Sequence, residues 1–100
     1  MRCVIYTRNN LKVSVSTQFQ ECRKYAFKKG LKVAYHIDDI NGNRFNEAVN
    51  HLLANPDITT LIVYNKHIAF DDMDEYKFYC VYFVKLNKQL LTVNKGANNL

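Results

Sequence analysis

A three-layer α/β/α fold around a parallel four-stranded sheet, in the order 2-1-3-4, is predicted by three features of the chain. Strand-like and helix-like runs alternate as β-α-β-α-β-α-β, two of the strand runs are continuously apolar, and the other two are half-polar or very short. Such alternation demands right-handed crossovers with helices on both sheet faces. Placing the two apolar runs centrally, where both faces are covered, gives the order.

The apolar runs are residues 2–6, Arg-Cys-Val-Ile-Tyr, and 60–64, Thr-Leu-Ile-Val-Tyr. Leu31, Val33, Tyr35 and Ile37 alternate with Lys32, Ala34 and His36, the period of two expected of an edge strand with one wetter face. Leu90 to Val93 is a second, peripheral candidate. In the first helix Val15, Phe19, Cys22 and Ala26 form the inward stripe and Arg23, Lys24, Lys28 and Lys29 lie largely elsewhere. Ser16 or Thr17 is the expected cap, with Gln20 as capping-box partner, and Gly30 the left-handed stop. Phe45, Ala48, Val49, Leu52 and Leu53 mark a second helix that ends at Asn55-Pro56-Asp57.

A third helix begins at Asp71, with Asp71, Asp72, Asp74 and Glu75 in its first turn and Lys85 and Lys88 in its last, the charge order that opposes the macrodipole. Met73, Tyr76, Cys80, Phe83 and Val84 form its expected core stripe. Phe78, Tyr79, Val81 and Tyr82 are then surplus apolar surface, covered either by neighbouring elements or by a partner subunit. Residues 1–94 are read as one domain and 95–100 as a disordered tail.

With 100 residues the chain has room for one domain and excludes a two-domain enzyme. Its apolar runs fall far short of the roughly 18 residues that span a bilayer, and no signal core follows Met1, so a cytoplasmic protein without membrane contact is expected. Cys3, Cys22 and Cys80 lack the paired spacing of zinc or redox sites, and no metal or other cofactor is expected. The net charge of +5 is uneven: residues 1–50 carry nine Lys/Arg against four Asp/Glu, whereas 51–100 carry five of each. That asymmetry suits an anionic partner such as nucleic acid, or simply a solvated basic face.

In open parallel sheets ligands bind beyond the carboxyl ends of the strands, where neighbouring connections leave to opposite faces. That crevice falls between the two central strands and gathers Arg8, Asn9 and Asn10 with Asn65, Lys66 and His67, while Asp38, Asp39, Asn41 and Arg44 arrive from the edge strand. Arg8 and Lys66 can hold a phosphate, and His67 joins them at a strand end. Asp38 and Asp39 offer either Mg²⁺ ligands or a turn cap, the latter being commoner. His36 and His51 have no partner at metal spacing. No Gly-x-Gly-x-x-Gly or Gly-Lys-Ser/Thr loop follows any strand, which removes the main support for nucleotide binding.

Several of these segments together resemble the N-terminal catalytic domain of serine recombinases, the resolvase and invertase family, over about residues 1–93. Tyr6-Thr7-Arg8 is similar to the start of its Tyr-x-Arg-Val-Ser motif. Residues 14–26, from Ser14-Val15-Ser16-Thr17-Gln18 through Cys22 to Tyr25-Ala26, resemble its Ser-Leu-x-x-Gln-x-x-x-Cys-x-x-Tyr-Ala segment. Asp38 to Gly42 resembles its Asp-x-x-x-Ser-Gly turn, and Asn46 to Leu53 keeps the frame of Arg-Pro-x-Leu-x-x-Leu-Leu. The resemblance implies the same fold and a place in DNA recombination.

It also implies a degenerate site. The family's serine attacks a DNA phosphodiester while arginines neutralise the developing charge. Here Asn10 stands at the serine, Asn46 replaces an arginine that Arg44 can only partly replace, and Tyr64 to Asp71 lacks the aspartate and both arginines of Tyr-Lys-x-Asp-Arg-Leu-x-Arg. The degenerate positions, and the candidates for anion or DNA contact, are Arg8, Asn10, Gln18, Arg44, Lys66 and His67. The family's interface helix and helix-turn-helix lie outside the likeness, so weak DNA binding is expected, whether the chain is a fragment or a free-standing relative.

Three functions follow as expectations. The first is an inactive interaction or regulatory module that meets itself or a full-length recombinase through Phe78, Tyr79, Val81 and Tyr82. The second is a DNA-phosphate contact module using Arg8, Lys66 and the basic first helix, and the third a recombinase fragment with residual cleavage through Ser14 or Ser16.

Overall fold

The computed structural model describes residues 1–94; the expected tail lies outside the described residues. Its elements are β1 (Arg2–Arg8), α1 (Val15–Lys28), β2 (Lys32–Asp39), α2 (Phe45–Ala54), β3 (Ile58–Val63), α3 (Lys66–Ala69), α4 (Met73–Lys85) and β4 (Gln89–Thr92). All pairings are parallel and the order is β2-β1-β3-β4, as the apolar runs require. One core cluster joins Cys3, Ile5 and Ile62 to Cys22 and Ala26 of α1; the other joins Val4, Tyr6, Leu61 and Val63 to α2, Phe70 and Phe83. So α1 covers one face of the sheet, and α2 and α4 the other. No helix among the described residues is long and apolar enough to cross a membrane.

The edge strand departs from simple alternation. Cys3 pairs with Val33 but Val4 pairs with Tyr35, so Ala34 is an extra residue, a bulge. A one-residue insertion reverses the facing of everything after it. Leu31 and Val33 therefore pack on the α1 side, whereas Tyr35 stacks on His51 of α2, and His36 turns back to stack on Phe19 of α1. The predicted common face of Leu31, Val33, Tyr35 and Ile37 does not exist, because the bulge splits it.

Helix ends differ from expectation in similar local ways. Ser14, not Ser16 or Thr17, caps α1: its hydroxyl accepts from the Thr17 amide at 3.1 Å. At the other end Gly30, at φ 73°, donates to Phe27 O and Leu31 donates to Ala26 O, the paired bonds of a left-handed helix stop. Asn87, at φ 59°, performs the same function after α4. Lys88 thus lies beyond the helix, and its ammonium donates to the carbonyls of Asn55 and Ile58 instead of capping a last turn.

The short α3 was not legible in the sequence, and the predicted third helix is α4, starting after its cap Asp72. Its core stripe is Met73, Tyr76, Tyr79 and Phe83, with Tyr79 among the rings of Phe45, Phe70 and Phe83. Tyr79 therefore belongs to the core and Val84, 66% exposed, does not. The two exchanged places because the helix turns its 76–79–83 line to the sheet. Phe78, Val81 and Tyr82 remain exposed, with Phe78 and Tyr82 stacked at 5.6 Å.

The turn from β2 to α2 is organised by Asp39, which is fully buried. Its carboxylate accepts from the amides of Gly42 (2.7 Å), Asn43 (3.0 Å) and Arg44 (2.9 Å) and from the Tyr6 hydroxyl. Burial alone would raise its pKa, but these four donors outweigh burial and hold it below the usual carboxylate value. Removing the charge should be costly: Asp39→Ala is expected to lose about 3 kcal/mol in urea unfolding, since it strands buried donors. The native pKa lies below the unfolded value of about 3.9, so this contribution is complete above that pH and is lost as pH falls through the native value. Asp39→Asn should flatten that part of the acid limb in stability measured against pH.

Candidate functional site

β1 leaves the sheet toward α1 on one face, and β3 leaves through α3 toward the other, so the space beyond their carboxyl ends is the topological switch point. A cleft of about 400 Å³ opens there, lined by Asn10, Leu11, Lys12, His67 and Ile68. The structure thus brings Asn10 and His67 to one wall-to-wall site, as their strand-end positions imply. Lys12 and Leu11, the latter fully exposed, complete it; nothing in their spacing marked them in advance.

Two side chains beside the cleft, Asn10 and Gln18, are committed to the backbone of this loop. Asn10 accepts the amides of Lys12 (2.8 Å) and Val13 (3.2 Å) through Oδ1, folding the loop between β1 and α1 over itself. Gln18, 1% exposed, reaches back under that loop. Its Oε1 accepts the Arg8 amide (3.1 Å), and its Nε2 donates to the carbonyls of Arg8 (2.7 Å) and Val13 (3.0 Å). The reason is positional: β3 pairs with β1 only as far as Tyr6, so Arg8 extends past it with backbone groups to satisfy. Gln18 supplies what a longer β3 would have supplied, and both N–H donors of its amide are used in doing so.

The three predicted cations do not converge on a shared partner. Arg8 Nη2 is 3.1 Å from both carboxylate oxygens of Asp71, and Nη1 donates to Ala69 O at 3.4 Å. Arg44 pairs with Glu47, and its Nη1 donates to Asp38 O at 2.9 Å. Lys66 Nζ lies over the Tyr76 ring, 5.4 Å from its centroid. His67 is exposed at the cleft, and its amide donates to Asn65 Oδ1, which caps α3. Asn65 is buried, and its Nδ2 has no hydrogen-bond partner among the described residues.

Two participants escaped sequence reasoning. Asp71 looks like one more acid at a helix start, and only the fold reveals it as the counter-ion of Arg8. Gly42, at φ 77°, lies against that guanidinium so closely that an added Cβ would fall 2.5 Å from Nη2. The turn that Asp39 ties is therefore also the floor under Arg8.

With this geometry described, comparison with solved structures becomes informative. The crystal structure of the N-terminal catalytic domain of TP901-1 integrase, a serine recombinase, superimposes with a TM-score of 0.76 at 19% identity, covering 95% of this chain and 78% of that one. The fold is that of a serine recombinase catalytic domain. No family model matches the sequence, and no curated protein does. The likeness is therefore one of fold, at 19% sequence identity.

Two substitutions probe the site's framework. Gln18→Leu, close in size but without the amide, should cost about 3 kcal/mol in urea unfolding, because the Arg8 and Val13 backbone groups lose buried partners. Gly42→Ala should cost roughly 1–2 kcal/mol from its left-handed backbone alone, and more through displacement of the Arg8 guanidinium. That second part should vanish in an Arg8→Ala background when the four proteins of the cycle are compared.

Proposed function

We propose that this domain has kept the recombinase scaffold without its transfer chemistry, and that it serves DNA recombination as an interaction or regulatory module. The observation that carries the reading is Asn10. Phosphoryl transfer of the recombinase kind needs a hydroxyl nucleophile with cations around the transferring group. Asn10 supplies an amide whose oxygen is bound to its own loop. Arg8, the cation nearest in sequence, is neutralised by Asp71, a residue that falls where the resembling motif has an arginine.

The alternatives draw less support from the same geometry. Ser14 spends its hydroxyl on the cap of α1, and Ser16 is exposed on that helix without a described link to the cleft. A phosphate-contact function through Arg8 and Lys66 would have to displace Asp71 from one and Tyr76 from the other.

The partner surface we assign to the module is the outer face of α4, where Phe78, Val81 and Tyr82 lie exposed beside Val84. Its partner is a second recombinase-fold chain, either another copy or a full-length enzyme.

Incubation with supercoiled plasmid should leave no covalent protein–DNA adduct on denaturing gels, and an adduct abolished by Ser14→Ala or Ser16→Ala would overturn the reading. In light scattering the protein should associate with itself or with a purified recombinase. Phe78→Lys with Val81→Lys should abolish that association without lowering the melting temperature; a wild-type protein that stays monomeric and ignores the recombinase would refute the surface.

A further inference from the structure

The outer face of α1 has no part in the cleft or in the α4 surface, yet it presents an unusual combination. Phe27 is 86% exposed. Arg23 lies one helical turn before it, Lys24 three residues before it and Lys28 directly after, and Arg23, Lys24 and Phe27 line an open depression of about 420 Å³. The inward stripe of Gln18, Cys22 and Ala26 is on the other side, so Phe27 contributes nothing to the core.

Two of the cations at this face are uncommitted, unlike the arginines elsewhere in the molecule. Lys24 shares its charge with Glu21 at 3.4 Å, and Lys29 sits over the Tyr25 ring. Arg23 and Lys28 are exposed and engage no acid among the described ion pairs, whereas Arg2, Arg8 and Arg44 each hold a carboxylate. Arg23 and Lys28 thus place part of the positive excess of the first fifty residues at this face, beside the ring of Phe27.

We infer that the outer face of α1 binds single-stranded DNA, with Phe27 stacking on a base and Arg23, Lys24 and Lys28 contacting the flanking phosphates. The combination selects its ligand. Cations alone would suit any polyanion, but an isolated exposed ring between them offers a stacking platform that only an unstacked base can use, since duplex bases hide their faces. A single phenylalanine also offers too little apolar area to hold a membrane surface by insertion. The choice of DNA over RNA rests on the recombination reading given above.

The test is fluorescence anisotropy of the full chain with a labelled twenty-nucleotide oligo-dT, its duplex with oligo-dA, and oligo-rU, at two salt concentrations. Oligo-dT should bind more tightly than the duplex. Phe27→Ala should weaken oligo-dT binding about tenfold while leaving duplex binding and the melting temperature unchanged. Arg23→Ala with Lys28→Ala should lower the salt slope by about 1.4, or 0.7 per lost phosphate contact.

Binding indifferent to Phe27, tighter binding of duplex or oligo-rU, or Phe27-dependent binding to phosphatidylserine vesicles in place of oligo-dT would each overturn the inference. So would loss of oligo-dT binding in Lys66→Ala or His67→Ala with Phe27→Ala silent, which would move the contact to the cleft. The two readings fail separately: a covalent adduct defeats the inactive module, and Phe27-insensitive binding defeats the α1 face.

Discussion

A buried carboxylate at the end of the edge strand is the constraint on which the rest of this site is built. Asp39 is charged inside the protein, and a charge there persists only if its neighbours solvate it as water would. Three consecutive backbone amides and the Tyr6 phenol do so. Those amides belong to the turn before α2, and Tyr6 belongs to β1, so one side chain fixes the turn, the central strand and the entry of α2 relative to each other. Gly42 is placed by the same bonds, and Arg8 is laid over it.

Gln18 is the counterpart on the other side of β1. Where β3 stops pairing, its carboxamide continues the ladder by hydrogen-bonding both backbone groups of Arg8. Both sides of the β1 end are therefore secured, and the cleft beside Asn10 and His67 has a stiff floor. Around it Arg8, Arg44 and Lys66 each face a group of this chain: Asp71 for Arg8, Glu47 for Arg44 and the Tyr76 ring for Lys66. The scaffold here rests on backbone groups, whereas the pairings of these cations rest on a few side-chain tips.

The sheet order was legible because burial on both faces leaves an unmistakable pattern: Cys3 to Tyr6 and Leu61 to Val63 are apolar on every residue, and no peripheral strand can be. The helices were legible through their stripes, but their ends were not fully so. Several hydroxyls near residue 15 are equivalent as caps until tertiary packing decides where the strand must stop. Ala34 carries no mark that it is the unpaired residue of β2, and its effect on facing is felt only by its neighbours. At the site, Arg8, Asn10 and His67 could be placed from their positions after central strands. Asp71 could not, because its pairing with Arg8 spans 63 positions and depends on the short turn of α3, whose four residues have no stripe to betray them.

That unpaired Ala34 matters beyond the packing of β2. The sheet ends there in a row of backbone groups that another extended chain could in principle copy, the usual route to fibrils. A strand added alongside would need unbroken alternation, and β2 changes phase midway, between Val33 and Tyr35. Its first half and second half ask for different registers in any newcomer, so this margin is a poorer template than a regular strand of the same length.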